Sequence, residues 1–403
     1  MTEPGILAGL RVVEVSAFVA APLGGMTLAQ MGAEVIRIDP PGGGLDYRRW
    51  PVTEDDTSLF WTGLNKAKRS VVVDINRPEG RELAMALITA PGADAGILLT
   101  NFPARGWLSY ESLSQRRPDL IQLTVMGDRN GGSAVDYTVN PGVGLPFITG
   151  PVGGTEPVNH VLPAWDLITG QMAATGLLAA ERHRRKTGQG QHVTLALEDV
   201  GLAMMSHLGF IAEAHLGRDR PRCGNYLFGA FGRDFVCADG ERVMVVGLTP
   251  KQWKALCEAT EQSAAIAELQ SRLGLDLGRE GDRFAAREEI AALIEPWVAV
   301  RSLDEVAAKF DAAGVCWNRY QSVQQMVLGD PACSVANPMF GVTDQPGVGS
   351  VLAAGLPLTY GSHVRPMPGV APALGCDSQG VLSEVLGIGE GEFERLRRQG
   401  LVG

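Results

Sequence analysis

The chain predicts an α/β fold with a parallel sheet and a second, smaller α/β unit, and three observations carry that expectation. Over the first 130 residues short β-rich runs alternate with helical patterns, the order that builds a parallel sheet with crossover helices. A length of 403 residues suits two to three domains of roughly 150 residues each. A turn-rich segment, RDRPRCGNYLFGAFGRD (218–234), then leads into a hairpin pattern, which marks the start of the smaller unit.

LRVVEVS (10–16) reads as a strand, PLGGMTLAQM (22–31) as a helix with Pro near its start and Gly32 past its end, and EVIRID (34–39) as the next strand, completing a βαβ unit. SVVVDI (70–75), a helix over 78–90, AGILLTN (95–101), a short helix over 111–117 and LIQLTVMG (120–127) continue the alternation. A Gly/Pro/Asn-rich stretch, 127–162, interrupts it before a long helix over 163–186 that ends in basic residues and Gly188. Strand 191–197 and an apolar helix near 198–216 follow. The hairpin 234–248 turns at Asp239-Gly240; helices are expected near 249–260, 280–299 and 303–313, with a strand at 315–320. The last 70 residues are rich in Pro and Gly, close on a helix near 381–399 and are long enough to return to the first unit. The expected division is a large domain over 1–217, a linker over 218–233, a small domain over 234–325 and a returning segment over 326–403.

Composition excludes several function classes. Lys plus Arg is 35 against Asp plus Glu 45, a net charge of −10 without a long basic run, which speaks against nucleic acid and anionic membrane as partners. No apolar run reaches the roughly 18 residues of a membrane span, and the first residues lack a basic, then apolar, leader pattern; a cytoplasmic protein is expected. The six cysteines form no CxxC pair and read as buried or idle thiols, and the six histidines show no metal-ligand spacing. No GxSxG or HExxH is present, so neither a serine hydrolase nor a metal enzyme is expected.

Four segments are candidates for chemistry. The first βα loop, Ser16 to Gly25, is not GxGxxG, and no GxxxxGK[ST] occurs, which disfavours a dinucleotide; its small residues suit either close approach of a ligand or simple packing. Lys66, Lys68 and Arg69 precede strand 70–75, and the loop Asn101 to Gly106 follows strand 95–101; each alone fits a solvated loop, together they suit a phosphate-rich ligand at one sheet edge. Asp166 falls in the first turn of the long helix, where it could satisfy free N–H groups or stay ionised as a nucleophile toward an activated acyl group. Gly170 and Ala174 share its helical face and allow close approach of another backbone or a thin ligand.

The ordered set of GLRVVEVSAFVAAPLGGMTLAQMGAEVIRID (9–39), NKAKRSVVVDI (65–75), NFPARG (101–106), the Asp166 helix and KTGQGQHV (186–193) resembles the family III coenzyme A transferases over nearly the whole chain. The resemblance implies a Rossmann-like large domain completed by the C-terminal segment, a smaller domain and an interlocked homodimer. It implies Asp166 as the acyl-accepting aspartate, with Lys68, Asn101 and Arg105 in CoA-binding loops. Ala17, Phe18, Val19 and Ala20 match the loop whose backbone lines the thioester, and the N–H groups around Phe18 to Ala20 are candidate oxyanion donors. No separate cofactor or metal is implied, because CoA enters as part of the acyl-CoA substrate. The family's glycine-rich lid has no counterpart after VMVVGL (243–248), and NFPARG departs in length from the usual NFRPG.

The related racemases need a His where this chain has Val135, which disfavours racemisation. Stretches such as GGGLDYRRWPVT (42–53), DYTVNPGVGLPF (136–147) and NHVLPAWD (159–166) are most similar to a branch that moves CoA between the two carboxyls of one dicarboxylic acid. The expected reaction is that intramolecular transfer, through an aspartyl anhydride and an aspartyl-CoA thioester; intermolecular transfer to an external acid is the alternative. Arg48 or Arg49 is the expected clamp for the free carboxylate, with Arg48 taken first.

Overall fold

The computed structural model describes residues 5–403. In chain order the elements begin with β1 (Arg11–Val15), α1 (Ala20–Gln30), β2 (Glu34–Asp39), α2 (Leu59–Leu64), β3 (Arg69–Val72), α3 (Pro78–Ile88), β4 (Ile97–Thr100), α4 (Tyr110–Arg116) and β5 (Ile121–Met126). They continue through α5 (Asp136–Gly142), α6 (Leu145–Ile148), α7 (Ala164–Thr187), β6 (Gln191–Ala196), α8 (Leu197–His207) and α9 (Phe210–His215). Next come β7 (Phe231–Val236), β8 (Arg242–Gly247), α10 (Pro250–Ala259), α11 (Ser263–Leu273), α12 (Glu280–Ala285), α13 (Arg287–Ala299), α14 (Leu303–Ala313), β9 (Cys316–Arg319) and α15 (Val323–Gly329). A hairpin, β10 (Phe340–Gln345) and β11 (Gly349–Ala354), and two helices, α16 (Ser378–Leu386) and α17 (Glu390–Arg398), end the chain.

One compact unit contains residues 1–143, 160–212 and 331–403, and the other residues 144–159 and 213–330. In the larger unit six parallel strands pair in the order β3-β2-β1-β4-β5-β6, as a sequence of strands and crossover helices requires. The strands inside this sheet are buried on both faces, and their apolar residues pack against helices on either side. Val12, Val35, Leu99 and Leu123 face α1 and α7, while Val13, Val15, Ile38 and Val71 face α3, α16 and α17. The chain end runs beside β3: Asp377 and Ser378 accept the N–H groups of Ser70 and Val72, at 2.8 and 3.0 Å. The smaller unit packs its helices on the antiparallel sheet β7-β8-β9 around Phe231, Phe235, Leu256, Ile290 and Phe310.

The two units cut the chain differently from the expected domains. Residues 144–159 belong with the smaller unit, where the Gly224 N–H donates to the Gly150 carbonyl at 3.2 Å and Arg222 Nε to the Phe147 carbonyl at 2.8 Å. Three expected helices are broken in two: near 198–216 at Gly209 (φ +82°), near 280–299 at Ala286, and near 381–399 at Gly387 (φ +71°). Helices α2, α5, α6, α11 and α15 and the β10-β11 hairpin were not expected. Of the six free cysteines, Cys237, Cys257 and Cys333 are buried, whereas Cys316 and Cys376 are exposed. Among the described residues no helix is long and apolar enough to cross a membrane.

The close approach of α1 and α7 positions everything that follows. A Cβ at Gly170 would stand 2.8 Å from the Ala20 carbonyl oxygen and 3.0 Å from Leu23 Cβ, and one at Gly24 would stand 3.0 Å from the Gly170 carbonyl oxygen. These contacts leave no room for a side chain between the helices. Gly170→Ala is therefore expected to destabilise the fold by roughly 1–3 kcal/mol, because the obstructing atom is backbone. Urea denaturation of wild type and variant measures it; an unchanged midpoint would refute the tight packing.

Candidate active site

The β1-α1 loop is held in a conformation that its sequence does not favour. Phe18 has φ +65°, a left-handed backbone that costs a non-glycine residue about 1–2 kcal/mol. Three neighbours fix it. Asn101, just past β4, accepts the Ala17 N–H through Oδ1 at 3.0 Å and donates through Nδ2 to the Ala17 carbonyl at 2.8 Å. Asp46 Oδ2 accepts the Phe18 N–H at 2.8 Å, and Arg37 donates to the Ser16 carbonyl at 3.1 Å. Helix α1 then starts with no side-chain cap, so the Val19 and Ala20 N–H groups point from a positive helix end without a protein partner among the described residues.

The N-terminus of α7 is treated in the opposite way. Its N-cap is Pro163, which offers no side-chain acceptor, and the buried Asp136 of α5 supplies one. Asp136 Oδ2 accepts the N–H groups of Trp165 and Asp166 at 2.7 and 3.2 Å, while His160 Nε2 lies 3.1 Å from Oδ1. Asp166 is thereby released from capping its own helix. Its carboxylate accepts no hydrogen bond among the described residues and faces a cavity of about 320 Å³ with Phe18, Val19, Ala20, Asn101 and Arg49. Burial and the charge of Asp136 push its pKa up to about 6, against the opposing pull of Arg49.

The structure brings together five of the sequence-predicted residues, Phe18, Val19, Ala20, Asn101 and Asp166, at this cavity. The other four, Ala17, Arg48, Lys68 and Arg105, lie outside it. Lys68 is not in a ligand loop; its ammonium is buried and spent on Glu14 Oε1, the Pro22 carbonyl and Asn65 Oδ1, all at 2.8 Å. Arg48 is turned away and lines a separate pocket with Asp55 and Asp56, whereas Arg49 lines the Asp166 cavity, its guanidinium 4.9 Å from the Phe60 ring and 5.8 Å from that of Phe18. Ala17 is buried with both backbone groups taken by Asn101, and the Phe18 N–H is taken by Asp46, which leaves the Val19 and Ala20 N–H groups of the candidate oxyanion donors. Arg105 is exposed outside the cavity, at the start of the single 3₁₀ turn Gly106–Leu108.

The other cations of the 65–70 segment are also engaged within the protein, Lys66 donating to the Ala354 carbonyl at 3.0 Å and Arg69 pairing with Glu34 and Glu384, both at 2.7 Å, whereas Arg105 of the second loop is exposed. Sequence reasoning missed Asp136, Phe60 and Asp46, and offered Arg49 only as the second choice beside Arg48. Among the described residues no group of three or more His, Cys, Asp or Glu side chains could hold a metal ion.

A family model described as CoA-transferase family III matches residues 7–378. The chain is 60% identical over 400 residues, 99% of its length and 98% of the relative's, to a 2-methylfumaryl-CoA isomerase of Chloroflexus aurantiacus. It is 30% identical to a succinyl-CoA:mesaconate CoA-transferase of Haloarcula marismortui, over 91% of this chain and 92% of that one. A solved CAIB/BAIF family protein from Brucella suis has the same fold, with a TM-score of 0.77 and 24% identity over 95% of this chain and 100% of that one. With a matched span that includes the β1-α1 loop and all of α7, the chain belongs to the family III CoA-transferases.

Proposed function

We propose that the protein is a 2-methylfumaryl-CoA (mesaconyl-CoA) isomerase, moving CoA between the two carboxyls of one branched unsaturated dicarboxylic acid. The observation that carries the reading is the Asp166 carboxylate, relieved of capping by Asp136 and set in a small cavity opposite a cation and an uncapped helix end. The similarity to the Chloroflexus isomerase supports the choice of acid.

Asp166 attacks the thioester carbonyl, forming a C–O bond, and the C–S bond breaks to leave an aspartyl-acyl anhydride and the CoA thiolate. The Val19 and Ala20 N–H groups stabilise the oxyanion of the tetrahedral intermediate. The thiolate attacks the aspartyl carbonyl, giving an aspartyl-CoA thioester and freeing the dicarboxylate. The other carboxylate then attacks that thioester; the thiolate leaves again and attacks the acid's carbonyl of the new anhydride, which regenerates Asp166. Protons balance, because every nucleophile and leaving group is an anion. Arg49 holds the free carboxylate in place, so the released acid re-attacks at high effective concentration. The family resemblance supports a cytoplasmic homodimer, a state that light scattering on the purified protein would test.

Incubating the protein with 2-methylfumaryl-CoA and excess labelled free acid tests the reaction. The 3-methylfumaryl regioisomer should form without label; label in the CoA ester would establish intermolecular transfer instead. Arg49→Ala should lower kcat/KM by roughly tenfold to a hundredfold, the loss of a charge-assisted bond, and let label in.

Asp166→Asn should abolish turnover while CoA-ester binding persists. It should also stabilise the protein. A carboxyl raised from 3.8 to about 6 favours the fold while protonated and loses that contribution as pH rises through about 6, a cost of up to about 3 kcal/mol at pH 8. The variant's Tm should exceed wild type's at pH 8, and the gap should close toward pH 4.

The attacking form of Asp166 is ionised, so kcat/KM of wild type should fall as pH drops through about 6. Asp136→Asn removes the like charge and keeps a capping oxygen, so the acid limb should move to lower pH. A limb that stays in place would refute the coupling.

A further inference from the structure

We propose that Asp46 is the positioning residue of the thioester-facing loop: its carboxylate holds Phe18 in the left-handed conformation that aims the Val19 and Ala20 N–H groups into the cavity. The inference rests on the reaction proposed above and adds a residue that touches no substrate. Asp46 is 1% exposed and spans two partners, Oδ1 at 3.2 Å from Arg37 and Oδ2 at 2.8 Å from the Phe18 N–H.

Arg37 does not need Asp46 for its own neutralisation. Asp39 already accepts from Arg37 twice, at 2.9 and 3.0 Å, and Glu14 lies 3.3 Å away. Counting the buried charges, Glu14, Asp39 and Asp46 oppose Arg37 and Lys68, three against two, so Asp46 is the surplus anion. A surplus buried carboxylate is costly, and here its second oxygen is spent on one strained backbone N–H. That N–H belongs to the residue before the N-cap of α1. With α1 held, rotating Phe18 to negative φ would carry its N–H off Asp46; with Ala17 held, the same rotation would swing the two following N–H groups away from the cavity where Asp166 lies. Asn101 fixes Ala17 on one side and the packing of Gly24 on Gly170 fixes α1 on the other, which leaves Phe18 as the hinge between two anchored points.

The test combines Asp46→Ala with Phe18→Gly and Phe18→Ala. Asp46→Ala should lower kcat by roughly tenfold to a hundredfold, less than deletion of an oxyanion donor, with KM changed by no more than about threefold. Glycine adopts positive φ without the penalty that alanine meets. In the Asp46→Ala background Phe18→Gly should therefore turn over about fivefold faster than Phe18→Ala, while with Asp46 present the two should be nearly equal. Asp46→Asn, which keeps an oxygen for the Phe18 N–H, should retain most of the activity and the near-equal glycine and alanine rates; Asp46→Val, which fills the space but accepts no hydrogen bond, replaces Asp46→Ala if that variant does not fold. Amide hydrogen exchange over residues 16–21, measured without substrate, should be faster in Asp46→Ala and unchanged in the β7-β8-β9 sheet. Equal Gly-to-Ala ratios in both backgrounds, or unchanged exchange in the loop, would overturn the assignment. Wild-type protein inactive on 2-methylfumaryl-CoA would defeat the proposed reaction instead, and the exchange result would still decide the role of Asp46.

Discussion

The guanidinium of Arg37 is the junction on which the larger unit's working end depends. It lies on β2, almost wholly buried, and reaches Asp39 on its own strand, Glu14 on β1, the Ser16 carbonyl, Asp46 in the following loop and Asn65 at the end of α2. Lys68 closes the cluster on Glu14 and Asn65, its pKa lowered to about 8 chiefly by burial. Such a cluster is a poor source of stability, since desolvation offsets most of the Coulombic gain, but breaking one arm is costly. Its value is geometric: it ties four segments distant in sequence to one rigid fork of donors. It also constrains packing above it. A Cβ at position 25 would stand 1.8 Å from Glu14 Oε2, so α1 can lie over the cluster only because that residue is glycine.

Two helix ends meet at the cavity and are used in opposite senses. The start of α1 keeps its donors free, an arrangement suited to a developing negative charge. The start of α7 has its donors consumed by Asp136, a residue 28 positions before α7 begins. An acid in the first turn of a helix is ordinarily stabilised as the anion. Asp166 departs from that rule because burial and the neighbouring carboxylate outweigh the helix end. The fold thus bears a strained Phe18, a surplus anion at Asp46 and a destabilised carboxylate at Asp166, contributed by three separate segments, the pattern expected where structure serves chemistry rather than stability.

Much of this architecture is legible in the sequence. The alternation of runs from 10 to 127 corresponds to five of the six parallel strands, and the basic last turn with Gly188 marks the end of α7. Most of the elements that escaped are short or interrupted: α2 has six residues, and Gly209 and Gly387 split helices whose apolar pattern runs on; α11, with eleven, is the exception. At the site, Asp166 and the loop 17–20 could be found because their segments are continuous in sequence. Arg49 could not be told from Arg48, since adjacent residues in an irregular loop have no periodicity to orient them. Lys68 looked like a loop cation because its partners, Glu14 and the Pro22 carbonyl, come from a strand and a helix far upstream. Asp136 was hidden for the same reason: a helix cap supplied from another element leaves no local signature.

In the proposed mechanism the reaction runs through one carboxylate twice, and the raised pKa of Asp166 bears on how that carboxylate could serve both passes. In an anhydride the more basic carboxylate is the better nucleophile and the poorer leaving group. An aspartate held far below the ordinary carboxylate range would be a feeble attacker of the thioester. It would also be too readily displaced from the anhydride by any nucleophile, water included. At about 6 the aspartate is at least as basic as the carboxylates it exchanges with, and it stays ionised near neutral pH. Acyl groups then pass in either direction without a deep well on the enzyme, and a transferase whose acceptor is the other end of its own donor needs that balance more than it needs a tight intermediate.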